Sequence, residues 1–238
     1  MSLSVEARHL YIESLDIPEG ASTRVSKGSS AAVNGGSVDT FVGGLSGLNK
    51  EDVLNSTLLA QLSANQAAGG DRIQWYNKYR EVLENIGWVV QDFTFKELDN
   101  ATTHGSVDQA IIAILKSYLS HTALADFKAT IDAMKKPANN NANKLFEMNA
   151  WKGQESDFQL GVASASHDDV QFRIGSFTYQ AQGSQNDVLF FKFGHDHVKF
   201  MYSTQNMVLN LKVYEKVRAA VNQKLGSHVK SYIDGLKL

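Results

Sequence analysis

The stretch Phe158–Ala181 reads FQLGVASASHDDVQFRIGSFTYQA. Its two halves, Phe158–Ala165 and Val170–Ala181, are β-branched and aromatic, and Ser166-His167-Asp168-Asp169 between them is a turn, so the pattern is a β-hairpin. In the second half Phe172 and Ile174 fall on one parity and Phe177 and Tyr179 on the other. Successive strand side chains alternate sides, so this strand is apolar on both faces and needs cover on both. Val188–Phe193 and Val198–Val208 continue the pattern, with Phe190 and Phe191 adjacent and therefore pointing opposite ways. Lys144–Asn149 offers one more strand ahead of the hairpin. Strands joined by short turns pair antiparallel, because a parallel pair needs a long crossover. The expectation is an antiparallel meander.

Outward from the meander the period changes to that of helices. Val53, Leu54, Leu58 and Leu62 share one face up to Gly69-Gly70, and Asp71, with Gln74 three residues on, reads as the cap of a second helix ending at Gly87. Trp75 and Tyr79 lie on that second helix at core spacing. Trp88–Phe95 (WVVQDFTF) reads as a strand. Ser106, with Gln109 in the capping-box position, starts a helix whose stripe is Val107, Ala110, Ile111, Ile114, Leu115, Tyr118 and Leu119. Leu124, Phe127, Ile131 and Met134 form the facing stripe of its partner, which Pro137 stops. Residues 137–143 (PANNNAN) read as a loop. Past the meander, Asn210 caps a helix carrying Val213, Val217 and Val221, and Ser227 starts a last one with Tyr232, Ile233 and Leu236. The predicted fold is α+β: one domain over residues 49–238, an antiparallel sheet covered on both faces by helical hairpins in three layers. Residues 1–48, with glycines at 20, 28, 35, 36, 43, 44 and 47, read as a Gly/Ser-rich N-terminal arm.

With 238 residues and 43% apolar side chains the chain has ample core material. A net charge of −2, from 23 basic and 25 acidic residues, argues against a nucleic-acid partner. The absence of cysteine excludes disulfides, thiolate metal sites and thiol nucleophiles. Met1–Ile17 is interrupted by Glu6, Glu13 and Asp16, and the longest aliphatic run is Ala110–Leu115. The expectation is a protein made soluble without a classical signal peptide, cytoplasmic or exported by a non-classical route.

No spacing selects a nucleophile, a paired acid and base, or a phosphate loop, so no catalytic residue and no cofactor is expected. Two smaller constellations remain. His195 and His197 flank Asp196 and at i, i+2 on a strand would share a face, as metal ligands can, although a solvated turn accounts for them equally. Lys212, Lys216, Arg218, Lys224, Lys230 and Lys237 outnumber Glu215 and Asp234, a composition suited to an anionic surface or to the outer face of amphipathic helices.

The order of elements, paired helices followed by antiparallel strands that include Asp187–Phe193 (DVLFFKF) and then terminal helices, resembles the Cyt-type cytolytic delta-endotoxins and the Erwinia virulence factor group that shares their fold. The likeness spans roughly residues 50–225. It implies a non-enzymatic, membrane-interacting protein whose helical hairpins leave the sheet on meeting lipid. On that implication Ile111, Ile114, Leu115, Tyr118 and Phe127 are the membrane-contact candidates, and a lipid surface, a non-covalently held apolar ligand or further copies of the chain are the partners. The Erwinia factor is similar to an acyl-carrying protein with lipid on cysteine, and this chain departs from it by having none. The rival expectation is a soluble binding or assembly module that works through a sheet edge or the arm.

Overall fold

The computed structural model describes residues 3–18, 21–24, 30–152, 155–180, 187–194, 198–226 and 230–238. In chain order its elements begin with α1 (Val5–Ser14), β1 (Ala21–Arg24), β2 (Ala31–Asn34), β3 (Ser37–Phe41), α2 (Gly47–Ala67), α3 (Arg72–Asn85), β4 (Trp88–Val89) and β5 (Lys96–Glu97). They continue with α4 (Val107–Lys116), α5 (His121–Met134), α6 (Asn140–Ala150), β6 (Trp151–Lys152), β7 (Glu155–Ser166), β8 (Asp169–Gln180), β9 (Phe200–Leu209), α7 (Leu211–Tyr214), α8 (Arg218–Gly226) and β10 (Lys230–Gly235).

The expected hairpin is β7–β8, paired in unbroken register from Glu155↔Gln180 to Ser166↔Asp169, and β9 extends it. One sheet runs β1-β10-β2-β3-β7-β8-β9-β4, with β5 also beside β9 and β6 beside β7. It is antiparallel except at β1–β10 and β3–β7, which run parallel. The alternation within β8 divides the core as its parity requires. Phe172 and Ile174 join the cluster under α1, α2, α3 and α8, while Phe177 and Tyr179 join the one under α4, α5 and α6. The result is an α+β domain of three layers. Gly161 of β7 has a close-approach role, since a Cβ there would lie 2.2 Å from the Phe172 ring.

Helix α2 is buried on all sides from Ser56 to Ala64. Its polar side chains therefore need partners inside the protein, and for Thr57 and Gln61 the β2–β3 turn supplies them. Asn34 Nδ2 donates to Thr57 Oγ1 at 2.9 Å and to the Leu54 carbonyl at 3.1 Å. Gln61 Nε2 donates to the Asn34 carbonyl at 3.1 Å, and its Oε1 accepts the Gly36 N–H at 3.0 Å. Gly35, at φ +57°, makes that turn, and a Cβ there would stand 2.8 Å from Gln61 Oε1. Elsewhere Arg218 forms a bidentate pair with Asp52, both contacts 2.8 Å, and the Trp88 indole N–H donates to Ser56 Oγ at 3.0 Å.

Several expectations are corrected. Residues 31–41 are not an arm: β2 and β3 lie inside the sheet, and Ala31–Asn34 are all fully buried. Their small side chains suit close packing under α2, which composition alone reads as flexibility. Lys144–Asn149 is helical, within α6, because Ala142, Phe146 and Ala150 repeat every four residues and are buried together. Residues 137–143 are a 3-10 turn, Pro137–Asn139, and the start of α6. Buried Asn139 donates to the carbonyls of Ala133 and Lys237 and accepts the Lys237 N–H. Val188–Phe193 is a turn with one bridge, Ser106↔Lys192, and not a strand, since the Val188 carbonyl accepts the Tyr179 hydroxyl at 2.7 Å. Only Trp88–Val89 of the expected 88–95 strand pairs, because Phe93 and Phe95 leave the sheet to pack on Tyr76. The last expected helix is instead β10, slotted between β1 and β2. Asp71 and Asn210 do cap their helices, accepting from Gln74 N and Val213 N.

Asp39 sits fully buried in the polar network, with Oδ2 accepting from Ser37 Oγ at 3.3 Å and Asn34 Nδ2 at 3.4 Å and Oδ1 without a hydrogen-bond partner. Burial pushes its carboxyl up to about 7, against the two hydrogen bonds that pull it down. In the unfolded chain an aspartate titrates near ~3.9, so the folded state holds this proton more tightly. Its contribution to stability is whole below about pH 4 and is lost as pH rises through about 7. Replacing Asp39→Asn should remove that loss. Urea unfolding is expected to show the variant's stability relative to wild type rising between about pH 5 and pH 8; a flat difference would refute the assignment.

Candidate functional site

The α4–α5 hairpin lies over the Phe177/Tyr179 face of the sheet. Ser106, in the extended N-cap position, turns its hydroxyl to Asp108 and does not cap the helix. The 187–193 segment does that work: the Val107 N–H donates to the Phe191 carbonyl at 2.9 Å, and the Phe193 N–H to Gly105 at 3.0 Å. Asp108 at the start of α4 receives Lys135 from the end of α5 at 3.2 Å. Each charge stands at the helix end whose dipole it complements. Ser120 caps α5, accepting the Ala123 N–H.

The membrane-contact candidates point inward. Ile111 and Phe127 are wholly buried, Leu115 and Ile114 nearly so, and Tyr118 is half-buried. They share a cluster with Phe158, Phe177, Tyr179 and Phe200, whose rings are linked at centroid distances of 5.7 Å (Phe158–Phe177) and 6.1 Å (Phe177–Phe200 and Tyr179–Phe200). Each such apolar side chain contributes about 1.5–3 kcal/mol by leaving water. Against this, among the described residues one side-chain hydrogen bond joins the hairpin to a strand, between Thr130 Oγ1 and Thr40 Oγ1 at 2.9 Å. Clefts border the pair on both sides. One of about 320 Å³ lies between α4 and β9, lined by Ile114, Tyr118, Lys96 and Tyr202. Another of about 360 Å³ lies between α5 and β3, lined by Thr40, Phe41, Asp126 and Ala129.

The basic residues are dispersed. Lys212 and Lys216 are exposed, Lys212 standing 3.8 Å from Asp168. Arg218 is committed to Asp52, and Lys224 Nζ donates to the Glu13 carbonyl at 2.9 Å, so these two tie α8 to α2 and α1. Lys230 begins β10. His195 and His197 lie outside the described residues, and among the described residues no three His, Asp or Glu side chains gather as a metal site would require. No described helix is long and apolar enough to cross a membrane. Thr130 is the residue that sequence reasoning passes over. Its signal is a polar side chain in the middle of the inward stripe of α5, and its partner is 90 residues away.

No protein-family model matches the chain, and no curated protein does. Among solved structures it is similar to a delta-endotoxin, with 11% identity over 82% of this chain and 85% of that one at a TM-score of 0.40. It is similar to the Evf virulence factor, with 13% identity over 96% of this chain and 98% of that one at a TM-score of 0.43. A third is the activated Cyt2Ba monomer from Bacillus thuringiensis subsp. israelensis, with 11% identity over 74% of this chain and 97% of that one at a TM-score of 0.35. Both groups that the order of elements resembles are thus among the structures matched.

If apolar burial holds the hairpin, truncations under it should dominate its energetics. Ile111→Ala and Leu115→Ala are each expected to cost about 2–5 kcal/mol, and Thr130→Val about 1 kcal/mol. Urea unfolding of the three variants checks this. A Thr130 effect as large as the others would mean that the hydrogen bond, and not the apolar contact, is the main fastening.

Proposed function

We propose that the protein acts on lipid membranes without catalysis, as pore-forming or virulence-type proteins do, by moving the α4–α5 hairpin off the sheet and onto the lipid. The observation that carries this reading is the unequal fastening of the two helical layers. Helix α2 is bound to the sheet by the Asn34–Thr57–Gln61 network, whereas the hairpin meets the sheet through apolar side chains and the Thr40–Thr130 contact. Hydrocarbon can replace a protein interior around Ile111, Leu115 and Phe127 at little net cost, because both media are apolar. The same exchange around Asn34 or Gln61 would strand buried polar groups, at several kcal/mol each. The layer able to exchange sheet for lipid is therefore α4–α5.

Helix α4, at ten residues, is about 15 Å long. It is far too short to span a hydrocarbon core of ~30 Å, so the released hairpin would lie in the interface with its apolar stripe down. Its departure would also bare Phe158, Phe177 and Phe200 for lipid or for another copy of the chain. The two flanking clefts are the natural entries for an acyl chain prising the hairpin up.

The Thr40 and Thr130 hydroxyl oxygens, 2.9 Å apart, give the test its handle. In a chain without cysteine, Thr40→Cys with Thr130→Cys introduces the only thiols, and oxidation joins α5 to β3. The oxidised variant is expected to bind liposomes weakly and to release no encapsulated dye, and reduction should restore release to the wild-type level. Equal release from the tethered and reduced forms, or none from wild type across lipid composition and pH, would sink the mechanism in favour of a soluble binding module.

A further inference from the structure

A cleft of about 260 Å³ opens where the α2–α3 turn meets the start of β7, and no residue of the α4–α5 hairpin lines it. Its aromatic wall is Trp75 and Tyr76, edge to face at 4.8 Å. Tyr79 stacks behind Trp75 at 5.0 Å, and Phe93 and Phe95 hold Tyr76 at 4.8 and 4.9 Å, so both rings are fixed in place. Its lining also includes the polar side chains of Glu155, Asp157 and Gln159 from β7 and of Asn149 from the end of α6.

Several donors around this cleft are committed. Trp75 Nε1 donates to Asn65 Oδ1 at 2.7 Å, and Asn149 Nδ2 to the Leu145 carbonyl at 2.8 Å. Arg72 donates to Thr178 Oγ1 at 3.2 Å with its guanidinium over the Phe95 ring. Gln159, 3% exposed, donates from Nε2 to Ser176 Oγ at 3.3 Å, and its buried Oε1 has no hydrogen-bond partner. A buried carbonyl oxygen of that kind costs stability unless something donates to it. Among the described residues that line the cleft, three carboxylates, Asp71, Glu155 and Asp157, stand with one guanidinium, Arg72, so acidic side chains outnumber basic ones there. Burial and then the Asp157 charge hold the Tyr76 phenol far above its ordinary range.

We propose that this cleft binds an organic ammonium group. A protonated or quaternary amine is a cation, its N–H or polarised C–H groups only donate, and it is attracted to the faces of Trp and Tyr. An anion would meet the carboxylates. A neutral polyol would need donors for its own oxygens, and those of Trp75 and Asn149 are turned to Asn65 and Leu145. The volume lies just under the ~300–1,000 Å³ of drug-sized sites, which suits a small head such as trimethylammonium.

The assignment is independent of hairpin release, and the disulfide-tethered protein should bind the same guest as well as the reduced form does. Calorimetric titration of the intact chain with choline chloride is expected to give saturable, millimolar binding, with none for glucose or sodium phosphate. Asp157→Asn should weaken it about tenfold or more; Glu155→Gln, at the start of β7, is the second variant should the first fail to fold, and circular dichroism reports on both. Phosphatidylcholine vesicles separate the sources. Release of vesicle-bound protein by free choline assigns the guest to a lipid headgroup, and choline binding without that competition assigns it to a free amine. No saturable binding of choline or tetramethylammonium, equal binding of glucose, or binding unchanged in both carboxylate variants would overturn the proposal.

Discussion

The β2–β3 turn is the polar lining of a helix, α2, whose middle from Ser56 to Ala64 has no water on any side. Because α2 is buried from Ser56 to Ala64, Thr57 and Gln61 can be accommodated only if Asn34 and Gly36 meet them. That requirement fixes the turn beneath the helix, and with it the register of β2 and β3, which pairs Val33 with Val38. The parallel contact of β3 with β7 then places the central hairpin. Polar groups in such a site are fastenings as much as costs, since each has a direction and tolerates little displacement.

The opposite layer is built on another principle. Contacts among Ile111, Phe127, Phe177 and Phe200 are strong in sum but have no preferred direction, and dispersion and burial are indifferent to which apolar partner supplies them. One domain thus joins a layer specified by geometry to a layer specified by area.

How much of this is legible in the sequence depends on how far apart the deciding residues lie. The alternation in Phe172-Arg-Ile174 and Phe177-Thr-Tyr179 is complete within one strand, and it is enough to require helices on both faces. The stripe of Ile111, Leu115 and Phe127 is equally local, and so are the caps at Asp71 and Asn210. Residues 31–41 mislead because Ala, Gly and Ser are at once the residues of flexible segments and the ones that fit closest beneath a buried helix. Val188–Phe193 has strand composition, but its backbone is drawn instead to Tyr179 and the start of α4. The Thr40–Thr130 contact and the acceptor-rich cleft join segments far apart in the chain, and no local period announces them.

Strand β10 carries a consequence for time. It lies between β1 and β2, pairing Lys230 with Ala21 on one side and Ile233 with Asn34 on the other, across some two hundred residues of chain. While the polypeptide is being made, β2 can find β3 almost at once, but its other edge stays open until residue 235 exists. A strand edge left bare for that long invites pairing with a neighbouring chain. Closing a sheet through so distant a contact is also slow. The step that completes this fold is therefore the late arrival of six residues at a gap already waiting for them, and the interval before it is when the protein is most exposed to aggregation.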